Sequence, residues 1–174
     1  ENYVDLTIAP FTHTQIEVQV KQYSDLNVGS DFVNLAAKIS VGNPSIVEQI
    51  VMLYKDIKRN HLKYVSYDSI DSIIDARLGI LRQEDYPAYR MLVAMSILGC
   101  KFYPAMLEHF DNNTPAEFER VIEVLVQRGF ISQLNNLSFE FKSKTIWKAI
   151  VAIVKNDDCL IEILNILHAT LSIY

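Results

Sequence analysis

Thr114-Pro115-Ala116-Glu117, running on through Val121, Leu125 and Arg128-Gly129 and then into Phe130-Ile131-Ser132-Gln133, Asn135-Asn136 and Leu137-Ser138-Phe139-Glu140-Phe141, decides how this chain is read. Threonine followed three residues later by glutamate is a capping box, in which each side chain satisfies an otherwise orphaned backbone N–H. Proline at the first helical position loses no needed hydrogen bond, so the signal predicts a helix that ends at Gly129. The next residues form two short alternating runs around a polar Asn-Asn turn, which predicts a hairpin. Upstream, 89–98 is apolar almost all round and predicts a buried central helix. Residues 104–110 predict a short helix and 146–154 another.

The first half reads differently. Val4 to Ile8 alternates and is β-branched, a short strand closed by Ala9-Pro10. Thr14-Gln15-Ile16-Glu17 has capping-box spacing and should start a helix through Tyr23. Asp25-Leu26-Asn27-Val28-Gly29 is turn-like, and Ser30 is the expected cap of the next helix. Gly42-Asn43-Pro44 is the sharpest punctuation in the chain: Gly ends one helix, Asn caps the next and Pro opens it. That helix finishes in Lys55, Lys58, Arg59 and Lys63, a cationic run suited to a helix C-terminus and read as a solvated helix end. A brief extended link at 63–67 leads to a helix opened by Ser69. Glu84-Asp85-Tyr86-Pro87 then breaks the chain and marks the expected domain boundary.

Composition bounds the function classes. Half of the 174 residues are hydrophobic, 21% are charged, and there are five glycines and five prolines, which describes a packed globular chain rather than a disordered one. A net charge of −5 argues against broad nucleic-acid affinity. Cys100 and Cys159 lie in apolar runs and are too few for a disulfide framework, which favours a reducing, cytoplasmic setting. His13, His61, His109 and His168 show no metal-ligand spacing. No Gly-x-x-x-x-Gly-Lys-Ser/Thr cradle is present, so the chain alone is not expected to bind and split ATP, and no catalytic residue is assigned. Asp157-Asp158 is read as capping a helix start. The last stretch, 159–174, is interrupted by Glu162, Asn165, His168 and Ser172, and is too short for a membrane span. The chain opens at Glu1 without Met or signal peptide, and both ends read as cut from something longer.

Three helices followed by a hairpin is the winged-helix order. The whole pattern resembles the lid-plus-winged-helix region of STAND-class, AAA-related signal-transduction ATPases, as in large bacterial transcriptional regulators. The residues that carry the resemblance are Asp5-Leu6-Thr7-Ile8-Ala9-Pro10-Phe11, Gly42-Asn43-Pro44-Ser45-Ile46-Val47-Glu48 and Asp75-Ala76-Arg77-Leu78. In the second half they are Leu98-Gly99-Cys100-Lys101-Phe102, Leu125-Val126-Gln127-Arg128-Gly129-Phe130-Ile131 and Phe139-Glu140-Phe141. The resemblance implies a mainly α fold: a helical lid subdomain over 1–84, a winged-helix domain with a small β-hairpin over 85–156, and a C-terminal helix over 157–174 leading to a missing repeat region. It implies a regulatory, non-catalytic role in transcription, with ATP or ADP held by a P-loop domain upstream in the parent protein and helical repeats downstream. In that arrangement Gly42, Asn43 and Pro44 lie on the adenine side of the nucleotide. Ser143 stands where relatives carry a His that reaches a nucleotide phosphate, which puts that contact in doubt.

Two other readings stay open. A winged-helix DNA-binding domain would use Lys142, Lys144 and Lys148, although Glu117, Glu119 and Glu123 on the recognition helix argue against groove contact by this chain. A protein-interaction scaffold would use the C-terminal helix, too apolar to face water alone, with self-association through 158–174 as one outcome.

Overall fold

The computed structural model describes residues 9–23, 29–62, 67–135 and 138–172. The strand expected at 4–8, most of the turn expected at 25–29, nearly all of the extended link at 63–67 and the hairpin tip at 136–137 lie outside the described residues. The chain divides into two compact units, Glu1–Val51 and Met52–Tyr174, at a point within the third helix rather than at residue 84. The described residues are mainly helical, with one small three-stranded antiparallel sheet.

In the first unit, α1 (His13–Tyr23) packs on α2 (Ser30–Ser40). The cap of α1 lies two residues before the expected one. Thr12 N–H donates to Gln15 Oε1 at 2.8 Å and Gln15 N–H to Thr12 Oγ1 at 3.4 Å, a Thr-x-x-Gln box. Glu17, the expected box partner, instead pairs with Lys21 at 2.7 Å one turn on. Likewise Gly29, not Ser30, is the N-cap of α2, so Ser30 is already helical. Ile16, Val20, Val33 and Ala36 are buried in α1 and α2, and Ile46, Val47, Ile50 and Val51 on α3 (Pro44–Arg59).

The second unit is built around α5 (Tyr86–Leu98), whose residues from Ala88 to Ser96 are all buried. A helix apolar on every face has no solvent side, so neighbours must cover it all round. α4 (Ile70–Glu84), α6 (Pro115–Gln127), α7 (Lys144–Val154) and α8 (Leu160–Leu171) all pack on it. Asp85 ends α4 and begins α5, its side chain accepting the Ala88 N–H at 3.1 Å, so the expected break is a helix-to-helix corner inside this unit. The single helix expected at 104–110 is instead two 3-10 turns, Pro104–Met106 and Phe110–Asn112. Leu107, between them, and Phe110, which opens the second, are both buried, a spacing of three that places two side chains on one face.

β1 (Lys101–Phe102), β2 (Ile131–Asn135) and β3 (Ser138–Phe141) form the sheet in the order β1-β3-β2. Ile131 pairs with Phe141 and Phe102 with Phe139, so the short β1 completes the hairpin as a third strand. Phe102 stacks on Phe139 at 6.2 Å and meets Phe141 edge-on at 6.1 Å, tying the sheet to the core. Thr114 caps α6 with its Glu117 box as expected.

Candidate functional site

The turn from α2 to α3 is the most constrained backbone near any residue singled out from sequence. Val41, at the C-cap of α2, is left-handed at φ 48° and Gly42 follows at φ 79°. A Cβ at Gly42 would lie 2.6 Å from Pro10 Cβ and 2.8 Å from Phe11 O, so only glycine fits. Phe11 N–H donates to Gly42 C=O at 2.9 Å. Ala9-Pro10-Phe11 and Gly42-Asn43-Pro44, distant in sequence, are therefore in direct contact. The left-handed C-cap expected of Gly42 is held by Val41, and Gly42 is needed for the close approach instead.

Asn43 Oδ1 accepts the Ser45 N–H at 3.0 Å, the capping bond expected of it. Pro44 is the first residue of α3 and is exposed, while its carbonyl accepts from Gln19 Nε2 at 2.8 Å. Gly42 is buried and Asn43 half-buried. The turn offers an apolar ring and backbone groups without ionisable side chains. Such a surface can lie against a flat ligand but cannot move protons.

The lysines singled out from sequence gather where β3 leads into α7. Lys142 is half-buried, with its N–H on Phe130 C=O at 3.1 Å; Lys144 and Lys148 are exposed one turn apart. Ser143 between them is the N-cap of α7, its Oγ accepting the Ile146 N–H at 3.2 Å. Serine at this position thus has a structural task of its own. Glu117, Glu119 and Glu123 are exposed on α6.

The N-cap of α8 is Cys159, without a side-chain cap, so Asp157 and Asp158, expected to cap this helix, lie just ahead of it. Asp157 Oδ1 accepts the Cys159 N–H at 2.9 Å, while Oδ2 accepts from Tyr89 Oη and from Arg82 Nη1, the latter at 3.2 Å. Burial pushes the Cys159 thiol up to about 11, helped by its hydrogen bond to Asp157. Burial and the same carboxylate push the Tyr89 hydroxyl upward too. Both groups are held protonated at neutral pH, the opposite of an activated nucleophile. An open cleft of about 570 Å³ beside them is lined by Asp71, Asp75, Arg82, Asn156, Asp157 and Asp158. Among the described residues no group of three His, Cys, Asp or Glu side chains could hold a metal ion.

Sequence reasoning missed a charge cluster. Arg77 is 1% exposed and lies on the buried face of α4 between Ile74 and Leu81. Arg59, read as part of a solvated helix end, pairs with Asp56 at 3.0 Å and with Glu84 at 2.9 Å. The available signal was a charged residue at an apolar position of the 3.6-residue period, as Arg77 and Asp56 both are.

No protein-family model matches the chain, and no curated protein or solved structure matches it either. No helix among the described residues is long and apolar enough to cross a membrane.

Proposed function

We propose that this chain is a non-catalytic regulatory segment of a nucleotide-dependent switch protein, a helical lid followed by a winged-helix module. The observation that carries the reading is the contact of Pro10-Phe11 with Gly42, beside an exposed Pro44. It joins two of the six motifs on which the resemblance rests and leaves the apolar proline ring open to a neighbour. The second half supports the module: helix α5, strand β1, two 3-10 turns, helix α6 and a hairpin whose β3 pairs with β1. A P-loop domain of the parent protein would supply the phosphate cradle, with Gly42, Asn43 and Pro44 on the adenine side. Nucleotide binding would favour the state in which lid and module rest on that domain, and its loss would expose partner surfaces, transcription regulation being the output.

The first test is the coding sequence immediately upstream of Glu1: without a P-loop domain there, the reading falls. Given one, calorimetry of ADP binding to the parent protein follows. Pro44→Asp is expected to weaken binding about tenfold, equivalent to about 1.4 kcal/mol. Unchanged affinity would dismiss the adenine-side role.

A second reading, DNA contact, draws on the exposed Lys144 and Lys148. The acidic face of α6 weighs against it. A mobility shift that weakens with salt would support it, and no binding at low ionic strength would end it.

A further inference from the structure

Five charged side chains converge at one corner of the second unit: Asp56 and Arg59 from α3, Arg77 and Glu84 from α4, and Arg128 at the C-cap of α6. Four of them close a circuit. Asp56 meets Arg59 at 3.0 Å, Arg59 meets Glu84 at 2.9 Å, Glu84 accepts from Arg128, and Arg128 returns to Asp56 at 3.9 Å. Arg77 lies inside it, Nε 3.7 Å from Asp56, Nη2 donating to Arg128 C=O, and its guanidinium 4.2 Å above the Phe130 ring.

Apolar side chains at Asp56 and Arg77 would spare the unit the desolvation of two charges, and such replacements commonly leave stability equal or higher. What ion pairs add is direction. Arg77 reaches the negative end of α6, where the chain reverses through Gly129 at φ 67° and Phe130 N–H returns to Leu125 C=O at 3.1 Å. Phe130 C=O in turn takes the Lys142 N–H at 3.1 Å, at the foot of the hairpin. The circuit therefore grips the corner from which β2 departs. Arg59 is its solvent face, with a side chain 54% exposed, whereas the Asp56 side chain is 9% exposed.

We propose that this circuit is a conformational latch: opened from the Asp56–Arg59 side, it frees the α6–β2 corner and the hairpin while the packing of α4, α5 and α7 stays closed. The latch uses no nucleotide, so its test stands apart from that of the proposed function.

The test is amide hydrogen exchange on the whole chain. Asp56→Asn keeps the side-chain shape and removes the charge. It is expected to speed exchange at Phe130, Ile131 and Lys142 at least tenfold, with Leu92, Met95 and Ile150 changing less than threefold. Arg59→Ala, which removes a half-exposed side chain while Arg77 and Arg128 stay beside Asp56, is expected to show the same pattern at smaller size, and decides the matter should Asp56→Asn fail to fold. Acceleration shared equally by corner and core would mean simple loss of stability and overturn the latch. No acceleration at the corner would overturn it as well.

Discussion

Val41 places a β-branched side chain at φ 48° with 78% of its surface in water. Left-handed backbone is costly for such a residue, on the order of 1–3 kcal/mol, and no apolar burial offsets it. Val41→Gly should therefore stabilise the chain by about 1 kcal/mol in urea unfolding. Its neighbour responds in the opposite sense. Gly42→Ala drives a Cβ into Pro10 and Phe11, with the nearest atom 2.6 Å away. It should cost at least about 2 kcal/mol by the same measurement. Strain retained beside the candidate adenine-side turn fits a surface selected for contact rather than for stability. If the proposed function holds, Val41→Gly should leave the fold intact while weakening nucleotide binding by the full-length protein; equal affinity in the two forms would separate the strain from the proposed site.

The helices are defined at their ends as much as along their faces. Thr114 and Ser143 each take a backbone N–H at the start of a helix, Glu117 N–H at 3.3 Å and Ile146 N–H at 3.2 Å. Thr114→Ala and Ser143→Ala should each cost about 1 kcal/mol in thermal unfolding. A much larger loss at Ser143 would mean that α7 depends on it for more than capping. On α8 the inner face carries Ile163 and Leu167, both buried, while Ile161 is 73% exposed and Leu164 43% exposed. Arg90, buried on α5, ties this helix to the second 3-10 turn, meeting Glu162 at 2.9 Å and Asp111 at 3.0 Å. The helix is thus covered on one side within this chain, and the apolar surplus seen in its sequence is half accounted for. Analytical ultracentrifugation of the chain with and without 158–174 tests self-association through the remainder.

Across the whole molecule the acidic limb of stability should be steep. Burial alone would push the carboxyls of Glu84, Asp85 and Asp157 up. Hydrogen bonds from Arg128, from Arg120 and from Cys159 and Tyr89, respectively, outweigh it and hold all three below their ordinary values of 4.5 for Glu and 3.8 for Asp. A lowered folded-state value means that the unfolded chain takes up protons first. The stabilisation is then present above the ordinary values and is lost as pH falls through the folded ones. The thermal midpoint should drop below about pH 4.5, and the gap between the native chain and Glu84→Gln should narrow on acidification; a gap constant with pH would contradict this. Most of the longer helices, the Thr114 box and the existence of the hairpin were legible in the sequence alone, because periodicity, capping and strand alternation are local, whereas the helix expected at 104–110 proved to be two 3-10 turns. The Thr12 box and the Ser143 cap were legible by the same rules yet misread by a few residues or overlooked. Only the tertiary structure decided that Gly42 meets Pro10, that Arg77 is buried against Phe130, and that Arg59, though half exposed, is paired with Asp56 and Glu84. Those facts join residues far apart in the chain, and whether a charge is solvated or paired depends on neighbours that no local pattern names.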